Sequence, residues 1–448
     1  MNPRIIFWAV TASLAGFLFG FDTAVISGAE QTIQRLWNLS PTLHGLAMGA
    51  ALYGTVVGAL GGALPTDRLG RRASLIAIGV LYLGSAVWSA LANDVVSFMV
   101  ARFIGGLGVG ISTVAAPLYI SEISPPQHRG RLAGLFQFNI VFGILVAFLS
   151  NALLADAGPN AWRWMLGVEA VPALVFVFGC LGLPESPRWL ASRRQDPDAA
   201  AAVLAVIEPV SPMAEHRAKA ALMAADGRTA ASTGGLSLSV LREAKIPLLL
   251  AFLIAFFNQL SGINAVLYFA PRIFEMTGLG KQAALLQSVG IGVTNFVFTF
   301  VGLWLIDRLG RKTLLTIGSV GYVVSLGLVS WAFFTGRFSI VPVCVFAFIA
   351  AHAVGQGAVI WVFIAEIFPN HLRAVGQAFG CFTHWIFAAL LTTFFPQMVQ
   401  SFAPGWVFAF FAGMMVLQWV WVKTMVPETR GVPLEEIQRL LSRPGKGR

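Results

Sequence analysis

Charge is scarce in this chain. Asp, Glu, Lys and Arg make up 11% of its 448 residues, where soluble domains carry about 25%. A water-soluble globule of this composition would lack the polar surface to cover itself, so that class is excluded. Cysteine is scarcer still: Cys180, Cys344 and Cys381, each within an apolar stretch. Three scattered thiols build neither a disulfide framework nor a metal cluster, and they read as small packing residues ahead of reactive thiols. No metal and no cofactor is expected. The period-two alternation that a membrane barrel requires is missing. No cluster of nucleophile and base marks an enzyme.

Apolar residues are abundant: 57% of the chain is hydrophobic, with 36 Phe. Stretches of about 20 mainly apolar residues, enough to cross a bilayer, fall near 6–28, 44–66, 73–92, 95–121, 131–155 and 163–183. A second set falls near 246–276, 283–306, 313–334, 340–367, 373–400 and 405–426. Lipid cannot satisfy an open backbone, so these are helices. The expected fold is an all-α membrane protein with twelve transmembrane helices, here spans 1 to 12. The first stretch is too long for a signal peptide, carries Asp22 and lacks a cleavage site leading into a soluble domain.

The formal net charge of +10 invites a nucleic-acid reading, but its distribution argues otherwise. With both termini cytoplasmic, 24 of the 30 Lys and Arg lie on the cytoplasmic side. This is the positive-inside asymmetry of a membrane protein. It sets orientation in a cell membrane and implies no nucleic-acid partner. The compact loops suit a bacterial inner membrane, and the outside loops are short, the longest near 29–43 and 155–162. With no extracellular domain to recruit a large partner, the chain is expected to work as a monomer.

The remaining charge repeats. Asp67-Arg68-Leu69-Gly70-Arg71-Arg72 returns as Asp307-Arg308-Leu309-Gly310-Arg311-Lys312, 240 residues later. Glu122 and Arg129 return as Glu366 and Arg373, and Pro184-Glu185-Ser186 as Pro427-Glu428-Thr429. A near-constant offset means two copies of one half. Between membrane segments it points to a secondary transporter with its site where the halves meet. The expected organisation is an N-terminal six-helix bundle (1–190), a cytoplasmic linker (191–244), a C-terminal six-helix bundle (245–430) and a cytoplasmic tail (431–448). Within the linker, Asp198–Ile207 and Ala214–Ala225 read as short amphipathic helices, followed by a Ser/Thr/Gly stretch at 229–235. Pro433–Leu441 reads as a last surface helix, with Glu435 and Glu436 in its first turn. The repeated acids and bases are expected to form cytoplasmic ion-pair networks: Asp67, Arg68, Arg71, Glu122, Arg129 and Glu185 in the first half, Asp307, Arg308, Arg311, Glu366, Arg373 and Glu428 in the second. Solvated positive-inside charges would explain the bases alone.

Two charges fall inside spans: Asp22 in span 1 and Arg102 at the start of span 4. Each is costly at depth, about 2.5–3.5 kcal/mol on insertion scales, so the two are expected to pair. Ionised Asp22 would hold Arg102 and protonated Asp22 would release it, which makes a proton-coupling device; a static buried pair is the plainer reading. Glu169, in span 6, is expected to take hydrogen bonds near Arg163 and Trp164 and not to carry protons. The Gly-rich run Gly105–Gly110 lacks the strand and downstream acid of a dinucleotide loop, so it reads as a close helix contact.

The second half holds amides instead. Asn258, Gln259 and Asn264 lie in span 7 with Tyr268 one turn further, and Gly262 is expected to loosen the helix between them. Gln137 lies in span 5, Asn295 in span 8, Gln356 and Trp361 in span 10, and His384 and Trp385 in span 11. Amides pair donors with acceptors, as vicinal hydroxyls require, and a flat indole suits the apolar face of a sugar ring. Interhelical glue is the alternative for any single residue.

The two Asp-Arg-x-Gly-Arg motifs, Arg102-Phe103-Ile104-Gly105-Gly106-Leu107-Gly108-Val109-Gly110, Tyr119-Ile120-Ser121-Glu122, Pro184-Glu185-Ser186-Pro187-Arg188-Trp189-Leu190, Asn258-Gln259-Leu260-Ser261-Gly262-Ile263-Asn264 and Pro427-Glu428-Thr429-Arg430-Gly431 together resemble the sugar porter family of the major facilitator superfamily. The resemblance covers nearly the whole chain. It implies the major facilitator fold, two pseudo-symmetric six-helix bundles with a central hexose or pentose site. It implies sugar contacts at Gln137, Asn258, Gln259, Asn264, Asn295 and Trp361, with Tyr268 as an outer gate. Proton-coupled members carry Asp in span 1 where passive ones commonly have Asn, and Asp22 matches the coupled kind. The chain departs from the family pattern at Asn258 (usually Gln), Ile144 (often Gln), His384 (Asn or Gln) and at Gln356 and Ala358 (often Pro). His384 is read as a neutral sugar-binding imidazole ahead of a packing role, and a proton site last. The expected activity is import of a monosaccharide by proton symport through alternating access. A facilitative uniporter is the near alternative. A multidrug exporter is a further one, which the amides argue against.

Overall fold

The structure, a computed structural model, describes residues 2–230, 244–369, 372–432 and Ile437. It is all-α, with no strand among the described residues. Among the described residues, twelve helices are long and apolar enough to cross a membrane. The first six are Pro3–Leu36, Pro41–Gly61, Arg71–Leu91, Val95–Ile123, Arg129–Leu154 and Ala161–Leu181. The second six are Lys245–Tyr268, Lys281–Leu309, Arg311–Thr335, Phe338–Ile367, Val375–Ser401 and Pro404–Met425. Most of the 229–235 stretch, and the helix expected over Pro433–Leu441 apart from Ile437, lie outside the described residues.

Span 1 is longer than its apolar run. The helix continues through Glu30, Gln31 and Gln34 to Leu36, so residues 29–36 are not loop. Nothing between Gly28 and Leu36 breaks a helix, and the Glu30 and Gln34 side chains both accept from Arg272. The turn comes at Asn38, whose φ of 46° is a left-handed position that Asn tolerates.

The chain divides into two compact units. One comprises Met1–Thr23, Tyr53–Ile144 and Arg163–Leu236. Its core packs Ala9, Ala12, Ala15 and Leu18 of span 1 against Leu75, Ile78 and Tyr82 of span 3 and Ala115, Ala116 and Tyr119 of span 4. Small residues bring the helices close. A Cβ at Gly20 would drive into the carbonyl oxygen of Ile140, and one at Gly143 into that of Phe17. The linker helices Pro187–Ser192, Pro197–Ile207 and Met213–Ala230 belong to this unit and share a small core of Leu190, Ala191, Ala200, Leu204 and Ala220. Asp196 caps the second by accepting from the Ala199 amide at 2.9 Å.

The other unit comprises Ala24–Leu52, Leu145–Trp162 and Ser237–Arg448. It takes in the C-terminal part of span 1. There Glu30, fully buried, accepts from Arg272 Nε at 2.9 Å and Nη2 at 2.7 Å. The ring of His44, also fully buried, meets the same carboxylate at 2.8 Å. Two hydrogen bonds from one guanidinium are the strong, directional form of this pairing.

Candidate functional site

The charged punctuation forms two matching clamps, one in each unit. In the first, Arg71 donates from Nε and Nη2 to Glu122 at 3.0 and 3.1 Å, and from Nη1 to Asp67 at 3.2 Å. In the second, Arg311 donates to Glu366 at 3.1 and 2.7 Å, and to Asp307 at 3.2 Å. Glu185 accepts from the backbone amides of Arg71 and Arg72 at 2.8 and 3.2 Å, and Glu428 from those of Arg311 and Lys312 at 2.9 and 3.1 Å. Each acid thus caps the positive end of the helix that its arginine begins. This is why acids recur with the bases. Gly70 and Gly310, at φ of 95° and 91°, make the turn ahead of these helices, and a Cβ at either would strike the capping carboxylate.

The clamps leave out some of the expected members. Arg68 and Arg308 are exposed, and Arg308 lies 3.9 Å over the Trp304 ring. Neither Arg129 nor Arg373 enters an ion pair among the described residues. Ser124 and Pro125 are extended, so Arg129 begins a new helix, and Arg71 takes the carboxylate of Glu122.

In the first unit Asp22 and Arg102 meet inside the membrane region, with Nη1 2.5 Å from Oδ1 and Nη2 3.2 Å from the Asp22 carbonyl oxygen. Both are buried. Glu169 joins them. It lies buried at the break between the helices Ala161–Gly167 and Ala170–Leu181, with Asp22 and Arg102 as the charged groups that act on its carboxyl. The expected Arg163 end is not its environment. Arg163 donates to the Ala90 carbonyl and to Asn93. Two carboxyls and one guanidinium are neutral only when the acids share one proton. Gln137, on span 5 of the same unit, is half-buried and makes no side-chain hydrogen bond among the described residues.

The second unit gathers the amides. Span 7 breaks at Gly262, whose φ is 86°. Residues five apart do not share a face of an unbroken helix. Across this break Asn264 Nδ2 reaches Gln259 Oε1 at 2.6 Å. Gln259 uses both amide hydrogens, one on Asn258 Oδ1 at 2.9 Å and one toward the His384 ring nitrogens at 3.1–3.2 Å. A neutral imidazole accepts at only one of these nitrogens. The Trp361 ring lies 5.0 Å from that of His384, and the Trp385 ring 4.7 Å in an edge contact. Asn258 Nδ2 turns toward Gln356 Oε1 at 3.5 Å, the limit of a hydrogen bond. Gln356 lies in a π-helical turn, Ala353–Gly357, within span 10, where the prolines common in the family are missing. Such turns re-aim a side chain.

Asn295 is on span 8 of this unit, and Tyr268 is buried at the end of span 7. Sequence reasoning missed Gln418 on span 12, which accepts from Gln356 at 3.1 Å, as well as Glu30, His44 and Arg272. A lone amide in an apolar span is the signal that singles out Gln418.

A family model described as "Sugar (and other) transporter" matches residues 8–441. The arabinose-proton symporter of Bacillus subtilis is 36% identical, over 97% of this chain and 95% of its own length. The glucose transporter GlcP of Staphylococcus epidermidis is 34% identical, over 98% and 97%. Among solved structures, the inward open conformation of the xylose transporter XylE from E. coli superposes with a TM-score of 0.85 at 30% identity, over 97% of this chain and 99% of that one.

Proposed function

The chain belongs to the sugar transporter family of the major facilitator superfamily, and from that premise we propose that it imports a monosaccharide, a hexose or pentose, by proton symport through alternating access. The family is one of transporters and not enzymes. The observation that carries the reading is the joint presence, in one chain, of a buried titratable cluster and a buried row of amides. The first suits a proton and the second a neutral polyhydroxylated ligand.

On this reading Asp22 is the coupling acid. Ionised, it neutralises Arg102 at 2.5 Å. Protonated, it no longer offsets the guanidinium, which must then find another acceptor, and Glu169 is the acid beside it. The proton therefore decides which carboxyl holds Arg102, and that choice gives span 1 two arrangements. The sugar is held by Gln137, Asn258, Gln259, Asn264 and Asn295, with Trp361, His384 and Trp385 against its apolar face and Tyr268 as gate. The amides retain free valences for it. Gln259 Oε1 has a lone pair beyond the bond from Asn264, and Asn258 and Asn264 each have a second amide hydrogen. Residues 1–190 and 245–430 act as the two halves, 191–244 as linker and 431–448 as tail. The protein works as a monomer in a cell membrane, with both termini cytoplasmic.

Uptake of labelled arabinose, xylose and glucose into proteoliposomes tests the reading. At least one sugar should accumulate above equilibrium when the outside is made acidic, and collapsing the gradient should reduce uptake to equilibration. Equilibration alone under both conditions would make the protein a uniporter.

A further inference from the structure

The amides of the second unit form one directional row that runs beyond the residues assigned to sugar. Asn264 donates to Gln259, Gln259 to Asn258, Asn258 to Gln356, Gln356 to Gln418 and Gln418 to Ser319, the last at 2.8 Å. Ser319 ends the row by donating to the Leu315 carbonyl oxygen at 2.7 Å. Gln356, Gln418 and Ser319 are fully buried.

A primary amide has no preferred sense of its own. Turning it by half a revolution exchanges oxygen for NH2 at little cost, so a row of amides can run either way. Something at one end must set the direction. A carbonyl oxygen can only accept. Ser319 spends its one proton on Leu315, and in that arrangement its lone pairs receive the NH2 of Gln418. Gln418 then turns Oε1 to Gln356, and the sense passes along the row, its longest link being Asn258 to Gln356 at 3.5 Å. His384 cannot do this from the other end, because an imidazole donates or accepts according to its tautomer. Reversed, the row would present donors where it now presents acceptors. In a low-dielectric interior each bond also polarises the next.

We infer that Gln418 is a positioning residue for substrate: anchored by Ser319, it fixes the sense of the amide row and thereby which sugar hydroxyls must donate and which must accept. This rests on the sugar-binding reading of Asn258, Gln259 and Asn264, and extends it to a residue that touches none of them.

Calorimetry on purified protein tests it. The probes are whichever of arabinose, xylose and glucose the wild type binds most tightly, together with its deoxyfluoro analogues, in which fluorine keeps a weak acceptor and removes the donor. The wild type should bind the analogue fluorinated at the discriminated position about tenfold more weakly than the parent. In Gln418→Met, of similar length without polar hydrogens, parent affinity should fall about tenfold and the gap to that analogue should close to about threefold or less. Gln356→Met should add little to it, since neighbours in one network are not additive. Uniform weakening across all probes, additive with Gln356→Met, would mean a merely structural role and overturn the inference. If Gln418→Met is not recovered folded, Ser319→Ala replaces it, with a threefold loss and the same closing gap expected; an unchanged gap overturns the inference. Wild type that binds none of the three sugars would overturn the sugar reading itself, and this inference with it.

Discussion

Arg71 and Arg311 hold their acids with the same atoms at nearly the same distances, and Glu185 and Glu428 cap their helices alike. Within the membrane the two halves part company. The first buries Asp22, Arg102 and Glu169; the second buries Asn258, Gln259, Asn264, Gln356 and Gln418. The ends of the repeat answer to a shared backbone problem, a tight turn leading into a helix N-terminus. On the proposed reading the middles answer to ligands, and a proton and a neutral sugar require different chemistry. The repeat is kept where the chain must turn and is absent from the buried middle.

The sharpest way to break the comparison is to make the first half neutral like the second. Asp22→Asn should abolish proton-driven accumulation while sparing equilibrative exchange, measured as sugar uptake with and without an imposed pH gradient. A variant that still concentrates sugar would remove Asp22 from the coupling step. Next in size is a test of the shared part. Arg71→Ala and Arg311→Ala each leave a carboxylate without its arginine, at a cost of up to about 3–5 kcal/mol, the range for a buried pair. The first should lower the melting temperature more, because the Glu122 side chain is 5% exposed and that of Glu366 is 23%. Thr429 also supports Glu366, at 2.6 Å. Equal shifts would show that burial does not separate the clamps.

Smaller effects test the amides. Gln259→Ala should weaken sugar binding threefold to tenfold, the worth of one neutral hydrogen bond at about 0.5–1.5 kcal/mol, with folded yield maintained. An unchanged dissociation constant by calorimetry would free Gln259 from the site. His384→Gln should have the least effect. It restores an amide where the family often has one, so transport and proton coupling should survive while the ranking of sugars changes. Loss of coupling with Asp22 intact would assign the proton role to His384 instead.

The twelve helices and the clamp acids were legible in the sequence because each solves a local problem: an apolar run for lipid, a carboxylate for a helix start. Asp22 and Arg102 were legible because neither is tolerable alone in a span. Arg129 misled, since its spacing from Glu122 says nothing of the turn between them. Glu169 was assigned to the wrong neighbours for a similar reason; its partners come from spans 1 and 4. Gln418 makes sense only once spans 7, 10, 12 and 9 are side by side. Glu30 was read as loop because polar residues ended the apolar run, whereas in the fold they turn toward protein.

Glu30 also carries a schedule. Its guanidinium partner, Arg272, lies 242 residues later in the chain. At a synthesis rate of about 5–20 residues per second, a ribosome delivers Arg272 on the order of 10–50 s after Glu30. His44 follows after only 14 residues, within about 1–3 s at the same rate. His44 is therefore within reach of Glu30 long before Arg272 has been made.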